Sequence, residues 1–127
     1  MRVLIVCNGF PPSGQWGTEF YSHQLATGLA ARGADVEVLH PDRSGERARY
    51  ELVSTQRYGL VVHELSNAGD PRKRFSDSYR NAEVERVFGA LLDEREYDVV
   101  HFTHLLWGLS ARLPEVARAR GVRTVVT

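Results

Sequence analysis

Glycines and prolines are concentrated between an apolar run at residues 3–7 and a helical pattern that begins near residue 18. Within the segment Gly9–Gly17, Gly14 and Gly17 would let the backbone approach a ligand closely, because glycine has no Cβ. A loop that leads from a strand into a helix presents backbone N–H groups, and the helix dipole favours negative charge there. The segment is therefore a candidate site for a diphosphate or a sugar. A tight turn that needs glycine only for its geometry is the alternative.

Two common nucleotide-binding motifs do not occur in the sequence. The dinucleotide pattern Gly-x-Gly-x-x-Gly is absent, and so is the phosphate-loop pattern Gly-x-x-x-x-Gly-Lys followed by Ser or Thr. Their absence argues against a nicotinamide-dependent enzyme and against a P-loop ATPase.

Two histidines lie at the end of a second apolar run, at residues 97–102. In an open parallel sheet, ligands bind outside the carboxyl ends of the strands. A histidine there can donate to an oxygen or act as an acid or a base. We expect His101 to be a strand residue whose ring is satisfied by the backbone. His104, in the following loop, is the candidate functional residue.

The sequence shows no metal-binding signature. His23 and His40 have no partner pattern, and Cys7 is the only cysteine, so the ligand spacing of a zinc site does not occur. Cys7 lies within an apolar run, which predicts a buried and unreactive thiol.

The composition is that of an ordinary globular domain. The chain has 127 residues, of which 43% are hydrophobic and 25% charged, with 16 basic and 16 acidic side chains. This length suits one domain with one core. Balanced charge provides no field that would attract nucleic acid.

No segment approaches the ~18 apolar residues that a membrane span needs. The basic run at residues 72–74 is expected to be a solvated loop. Peripheral contact of this run with a membrane surface is the alternative. The N-terminus lacks the pattern of a secretory signal, so the expected location is the cytoplasm.

Apolar runs alternate with helical patterns along the chain. Strands are predicted at Val3–Cys7, Val36–His40, Leu60–Leu65, Val99–Phe102 and Val122–Val126, with a weaker one at residues 50–54. A first helix is predicted over residues 18–32, and a second is predicted to begin between residues 77 and 81 and to end near residue 95. A third follows from an apolar stripe between Leu109 and Ala117, in which Pro114 is tolerable only in the first turn. This order predicts an α/β fold, a Rossmann-like three-layer α/β/α sandwich with a mainly parallel sheet.

These residues resemble a known family. Residues 2–6, followed by Asn8, Phe10, Pro11, Pro12, Gly14, Gly17 and Glu19, are similar to the opening of the GT-B glycosyltransferases of family 4, also called group 1 glycosyltransferases. Residues 25–38, 98–110 and 121–127 resemble later motifs of that family in the same order. The chain departs from the family pattern where Gln15 and Trp16 separate two normally adjacent glycines. It also departs where the histidines are spaced His-x-x-His, because many members have His-x-His.

The resemblance implies a retaining glycosyltransferase of the hexosyltransferase type, which moves a sugar from a nucleotide-diphosphate sugar to an acceptor hydroxyl. It implies that residues 1–127 are a truncated N-terminal, acceptor-side half of a GT-B fold, inactive without its donor-binding domain. Gly14 and Gly17 would approach the donor phosphates, Asn8 and Glu19 would line the pocket, and His104 would stabilise or orient the sugar. The nucleotide sugar is a co-substrate, and no cofactor or metal is implied.

A rival hypothesis is a non-enzymatic, flavodoxin-like binding or interaction module that uses the same sheet edge. Neither the donor sugar nor the acceptor can be deduced from these residues. If the chain is cut from a longer one, Val122–Val126 would leave apolar surface at a sheet edge, and we expect the fragment to dimerise.

Overall fold

The computed structural model describes residues 1–12, 17–68 and 79–127. Within these ranges the strands are β1 (Arg2–Val6), β2 (Asp35–Asp42), β3 (Leu52–Arg57), β4 (Leu60–Ser66), β5 (Val99–Phe102) and β6 (Arg123–Val126). The helices are α1 (Gly17–Ala31), α2 (Ala82–Arg95) and α3 (Leu113–Ala119). In the part of the chain so described, no helix is both long enough and apolar enough to cross a bilayer.

The strands form one sheet in the order β3-β4-β2-β1-β5-β6. Every neighbouring pair is parallel except β3 with β4. The predicted α/β fold with a mainly parallel sheet is therefore confirmed. Because five strands run in one direction, their carboxyl ends share one edge of the sheet, which we call the carboxyl edge.

The centre of the sheet is buried on both faces. Leu4 packs with Phe88 on the face covered by α2 and α3, whereas Ile5 packs with Ala26 on the face covered by α1. Successive side chains of a strand point to opposite faces. An unbroken apolar run is therefore what a central parallel strand requires, as its sequence predicts.

Local signals place the helix ends. Asn81 caps α2, and its side chain accepts from the backbone N–H groups of Glu83 and Val84. Pro114 lies in the first turn of α3, where its missing N–H is tolerated. Leu109 precedes α3, so that helix is shorter than the predicted apolar stripe.

The strand β3, which is an outer strand of the described sheet, differs from the sequence-based expectation. The sequence predicts a short strand at residues 50–54, whereas β3 extends from Leu52 to Arg57. Tyr58 and Gly59 form the connection, with φ angles of 55° and 74°. Two positive φ angles match the twist of a two-residue hairpin, which joins β3 to β4 in antiparallel pairing. Glycine adopts positive φ angles readily but tyrosine does not, so the residue types at positions 58 and 59 did not indicate this turn.

Candidate functional site

Two loops leave the sheet side by side at the carboxyl edge. They follow β1 and β5, which are parallel neighbours. The backbone N–H of Thr103, just after β5, donates to the carbonyl of Val6 at 2.9 Å. The segment Gly9–Gly17, which we call the glycine loop, and the loop 103–108 therefore leave the same edge of the sheet, as far as their residues are described. Gly14 falls outside the described residues.

Arg43 bridges these two loops. Its Nη1 donates to the carbonyl oxygen of Asn8 at 3.1 Å and to that of Trp107 at 2.6 Å. One guanidinium therefore connects the segment after β1 with the segment after β5. In the sequence, Arg43 belongs to a polar segment at residues 42–49. Nothing in that segment indicates that this arginine would bridge two loops.

The side chain of Glu19 packs against the start of the glycine loop, at Gly9. It belongs to the first turn of α1, as the dipole of the helix favours, and is only 2% exposed. A Cβ at Gly9 would lie 2.8 Å from Oε1 of Glu19. Glycine at position 9 therefore lets the backbone rest on the buried carboxylate. This burial favours a role for Glu19 in supporting the loop from below.

Gly17 and Asn8 lie on either side of this loop. Gly17 begins α1 and is exposed, and a Cβ there would meet nothing within 4 Å. Packing within the described chain therefore does not require glycine at position 17. Asn8 is half-buried directly after β1, with its carbonyl bonded to Arg43.

His104 is half-buried in the loop after β5. Its Nδ1 accepts the backbone N–H of Leu106 at 3.1 Å. A ring nitrogen that accepts cannot also hold the proton of a neutral imidazole, so that proton lies on Nε2. The carbonyl oxygen of Leu106 lies farther from Nδ1, at 3.3 Å, and would accept from this nitrogen only in the opposite tautomer, so the shorter contact favours the proton on Nε2. His104 is thus oriented with an Nε2–H that can donate to a ligand oxygen.

His101 has a different environment. It lies in β5 in register with Ile5, and its Nε2 is 3.2 Å from the hydroxyl oxygen of Thr127. The expectation that the backbone satisfies this ring is wrong, because the partner is a side chain beyond β6. Burial lowers the pKa of His101 and favours the neutral ring.

A charged cluster flanks the glycine loop on the α1 face and consists of His40, Arg57 and Glu64. Arg57 donates to Nε2 of His40 at 2.7 Å, to Glu64 at 3.0 Å and to the carbonyl of Pro11 at 3.0 Å. Since a guanidinium only donates, Nε2 of His40 is an acceptor and its Nδ1–H faces the carbonyl of Pro41. Burial lowers the pKa of His40, which is consistent with this neutral ring. Sequence reasoning missed this cluster because its members come from three strands.

Cys7 is buried at the end of β1, as its sequence context predicts. Burial raises the pKa of its thiol to about 12, so the nucleophilic thiolate is disfavoured. Within the described ranges, no three His, Cys, Asp or Glu side chains are grouped so that they could hold a metal ion.

A shallow depression of about 490 Å³ lies at the opposite edge of the sheet. Its lining is formed by Met1, Tyr97, Asp98, Val99, Gly121 and Arg123. Ligands of open α/β sheets bind beyond the carboxyl ends of the strands, and this depression lies at the amino ends. The bridged loops at the carboxyl edge are therefore the better candidate site.

Comparison with solved structures supports the fold. The catalytic domain of starch synthase IV from Arabidopsis thaliana, bound to ADP and acarbose, superposes with a TM-score of 0.56 and 16% identity, over 98% of this chain and 32% of that one. Sucrose-phosphate synthase from Thermosynechococcus elongatus superposes with a TM-score of 0.64 and 16% identity, over 99% of this chain and 32% of that one. The chain therefore spans about a third of the length of these two structures. Both are GT-B glycosyltransferases.

Comparison of the sequence identifies the family. No curated protein matches the chain significantly. Residues 17–127, however, match the family model described as a glycosyl transferase 4-like domain, and this match covers most of the chain. The resemblance to GT-B glycosyltransferases is thereby confirmed, with the motifs before residue 17 outside the matched range, and the chain belongs to the family of glycosyl transferase 4-like domains.

Proposed function

We propose that this chain is the N-terminal, acceptor-side domain of a retaining glycosyltransferase. The enzyme would transfer a sugar from a nucleotide-diphosphate sugar to a hydroxyl group of an acceptor. The proposal rests on one observation: a glycosyl transferase 4-like domain whose two loops are bridged at the carboxyl edge of its sheet. The related starch synthase is bound to ADP, and a nucleoside diphosphate is the group that leaves when a nucleotide sugar reacts.

The glycine loop binds the donor phosphates in this proposal. The open space at Gly17 and the positive end of α1 support a diphosphate there. The family resemblance implies that Gly14, which lies outside the described residues, would approach the same group. Asn8 lines the pocket beside the loop, while Glu19 supports the loop through its contact with Gly9. A second domain contributes the remaining donor contacts from across a cleft.

His104 acts on the transferred sugar. Its Nε2–H donates to a sugar oxygen and orients the ring, or stabilises charge as the bond to the donor weakens. The bond between the anomeric carbon and the diphosphate oxygen breaks, the acceptor oxygen bonds to the same face of the sugar, and the hydroxyl proton passes to the departing diphosphate. The anomeric configuration is therefore retained. Because catalysis needs the reacting groups held together, the 127-residue chain alone is expected to be inactive.

The test is a screen of the full-length protein with nucleotide-diphosphate sugars that differ in base and sugar, and with mixed hydroxyl acceptors. Nuclear magnetic resonance of the product reports its anomeric configuration. Transfer with retention is the expected result. An inverted product would rule out the retaining mechanism. If the protein neither binds nor turns over any of the donors, a non-enzymatic binding module would be favoured instead.

A further inference from the structure

A second group of polar side chains lies on the other face of the sheet, away from the charged cluster at the glycine loop. Its members are Ser54 of β3, His63 of β4 and Glu37 of β2. The hydroxyl oxygen of Ser54 is 2.7 Å from Nδ1 of His63, and Nε2 of His63 is 2.7 Å from Oε1 of Glu37. We call these three residues the serine–histidine–glutamate cluster. The proposed sugar transfer uses none of them.

Glu37 is a buried carboxylate that is held in its ionised form. Burial by itself raises its pKa, but the hydrogen bonds from Arg95, His63 and Tyr97 outweigh that effect and lower the pKa to about 2. Arg95 donates to both carboxylate oxygens at 2.8 Å, and the hydroxyl of Tyr97 donates at 2.6 Å. The paired guanidinium compensates a charge that would otherwise be costly to bury.

The ionised carboxylate determines which nitrogen of His63 is protonated. A carboxylate can only accept, so the Nε2 that faces Glu37 carries the proton. In the neutral ring Nδ1 then has a lone pair, and the hydroxyl of Ser54 donates to it. This is the order of nucleophile, base and orienting carboxylate that activates a serine.

Ser54 is the exposed member of the cluster. Ser54 is exposed on β3, an outer strand of the described sheet, whereas His63 and Glu37 are each 1% exposed. The backbone N–H of Ser66 donates to the carbonyl of Glu51 at 2.9 Å. This bond shows which opposite residues of β3 and β4 are hydrogen-bonded pairs and which are not. Alternation along the pair then places Ser54 and His63 opposite each other without mutual backbone bonds, where side chains are closest.

The same alternation directs the backbone N–H of Ser54 away from β4, towards the outer side of β3. Ser54 therefore combines a hydroxyl bonded to the base with a backbone N–H that faces away from the described sheet. In acyl transfer, a backbone N–H next to the nucleophile can stabilise the oxyanion that forms on the substrate carbonyl.

We propose that Ser54 is a nucleophilic serine that accepts an acyl group from an activated ester, with His63 as its general base and Glu37 as a positioning residue. The bond from the serine oxygen to the acyl carbon forms, and the bond from that carbon to the leaving oxygen breaks. The hydroxyl proton passes to Nδ1 of His63 and then to the leaving group. The product is an acyl-serine ester and a free alcohol or phenol.

The test uses the full-length protein and p-nitrophenyl acetate as the acyl donor. We expect release of p-nitrophenol together with an acetyl group that peptide mapping locates on Ser54. Ser54→Ala, at an exposed position, should abolish this acetylation. Ser44→Ala is the matched control, because Ser44 is also exposed and its hydroxyl contacts Asp42 and the backbone N–H of Glu46 rather than a histidine. Acetylation confined to the amino terminus, or equal in Ser54→Ala, would overturn the proposal.

Two buried variants separate the roles of the base and the positioning residue. His63→Gln should lower the acetylation rate constant by about 10²-fold or more, since it removes the base. Glu37→Gln should lower the rate constant at saturating ester while the half-saturating ester concentration stays unchanged, because only the orientation of the imidazole is lost. Circular dichroism verifies that each variant is folded. A folded His63→Gln with an unchanged rate contradicts the proposal, and the exposed Ser54→Ala decides it if neither buried variant folds.

Discussion

The backbone of Gly9 rests on the carboxylate of Glu19, because a Cβ on residue 9 would come within 2.8 Å of Oε1. The carboxylate is 2% exposed and belongs to the first turn of α1, so it has little room to withdraw. The end of β1, the glycine loop and the start of α1 are thus packed together at one point. This contact identifies a structural constraint on the loop that does not involve any ligand.

Gly9→Ala should destabilise the protein. The added methyl forces the buried carboxylate of Glu19 or the loop backbone to shift, and overpacking of this kind typically costs about 1–3 kcal/mol. Gly28→Ala is the control, since Gly28 is exposed in α1 with nothing within 4 Å of its added Cβ. Chemical denaturation of both variants measures the difference. Equal stability of Gly9→Ala and the unchanged protein would show that the loop adapts freely.

His104→Ala should lower turnover of the full-length enzyme by about 10²–10³-fold, as removal of one group that stabilises developing charge commonly does. Its melting temperature should change little, because the residue lies in a half-buried loop. His101→Ala should lose stability more than turnover, since His101 pairs with Thr127 within the fold. Turnover and melting curves of both variants test this pair. A large loss of turnover in His101→Ala alone would reverse the two assignments.

Arg43→Gln should impair sugar transfer by altering the spacing of the two loops. The shorter side chain cannot bridge the carbonyls of Asn8 and Trp107, and a small misplacement of reacting groups can cost about 10²-fold in rate. Arg86→Gln is a matched control, because this exposed arginine of α2 pairs with Glu83 one turn away and, among the described residues, bridges no loops. The ratio kcat/KM for the donor is the measured quantity. Equal values for the two variants would mean that the bridge is not needed.

Stability should depend on the ionisation of Glu37. Its pKa falls from 4.5 to about 2 in the folded chain, so its contribution is fully present above pH 4.5 and is lost as the pH falls towards 2. The difference corresponds to a contribution on the order of 3 kcal/mol. Denaturation at stepped pH should show a steeper loss in the unchanged protein than in Glu37→Gln. Parallel curves would remove Glu37 as the source of the acid sensitivity.

Residues 1–127 expressed alone should associate. Val125 and Val126 of β6, an outer strand of the described sheet, are 43% and 53% exposed. Exposed apolar strands at a sheet edge favour pairing with another chain. Light scattering should show dimers, and Val126→Lys should shift them towards monomers because a lysine at an edge opposes pairing. A strictly monomeric fragment at high concentration would contradict this expectation.

The local sequence pattern was sufficient to predict the central strand of the fold. The unbroken apolar run of β1 predicted a strand with core on both faces, and Leu4 and Ile5 indeed pack on opposite sides. The N-cap of α2, Asn81, lies within the range predicted for the start of that helix, and Pro114 lies in a first turn as its missing N–H requires, because these signals act over a single turn. The position of His104 beyond β5 followed from the same local reasoning.

The contacts that join the sites could not be deduced from local pattern. Arg57 bonds to the Pro11 carbonyl and to His40, and Ser54 meets His63, only because β3 folds back on β4 and β4 lies beside β2. The turn that folds β3 back uses a tyrosine with positive φ, which composition does not signal. Strand order and register decide such pairings, since a slip of one residue moves every side chain of a strand to the other face. Long-range assembly of the sheet, and not the spacing of residues along the chain, therefore created both the loop bridge and the serine–histidine–glutamate cluster.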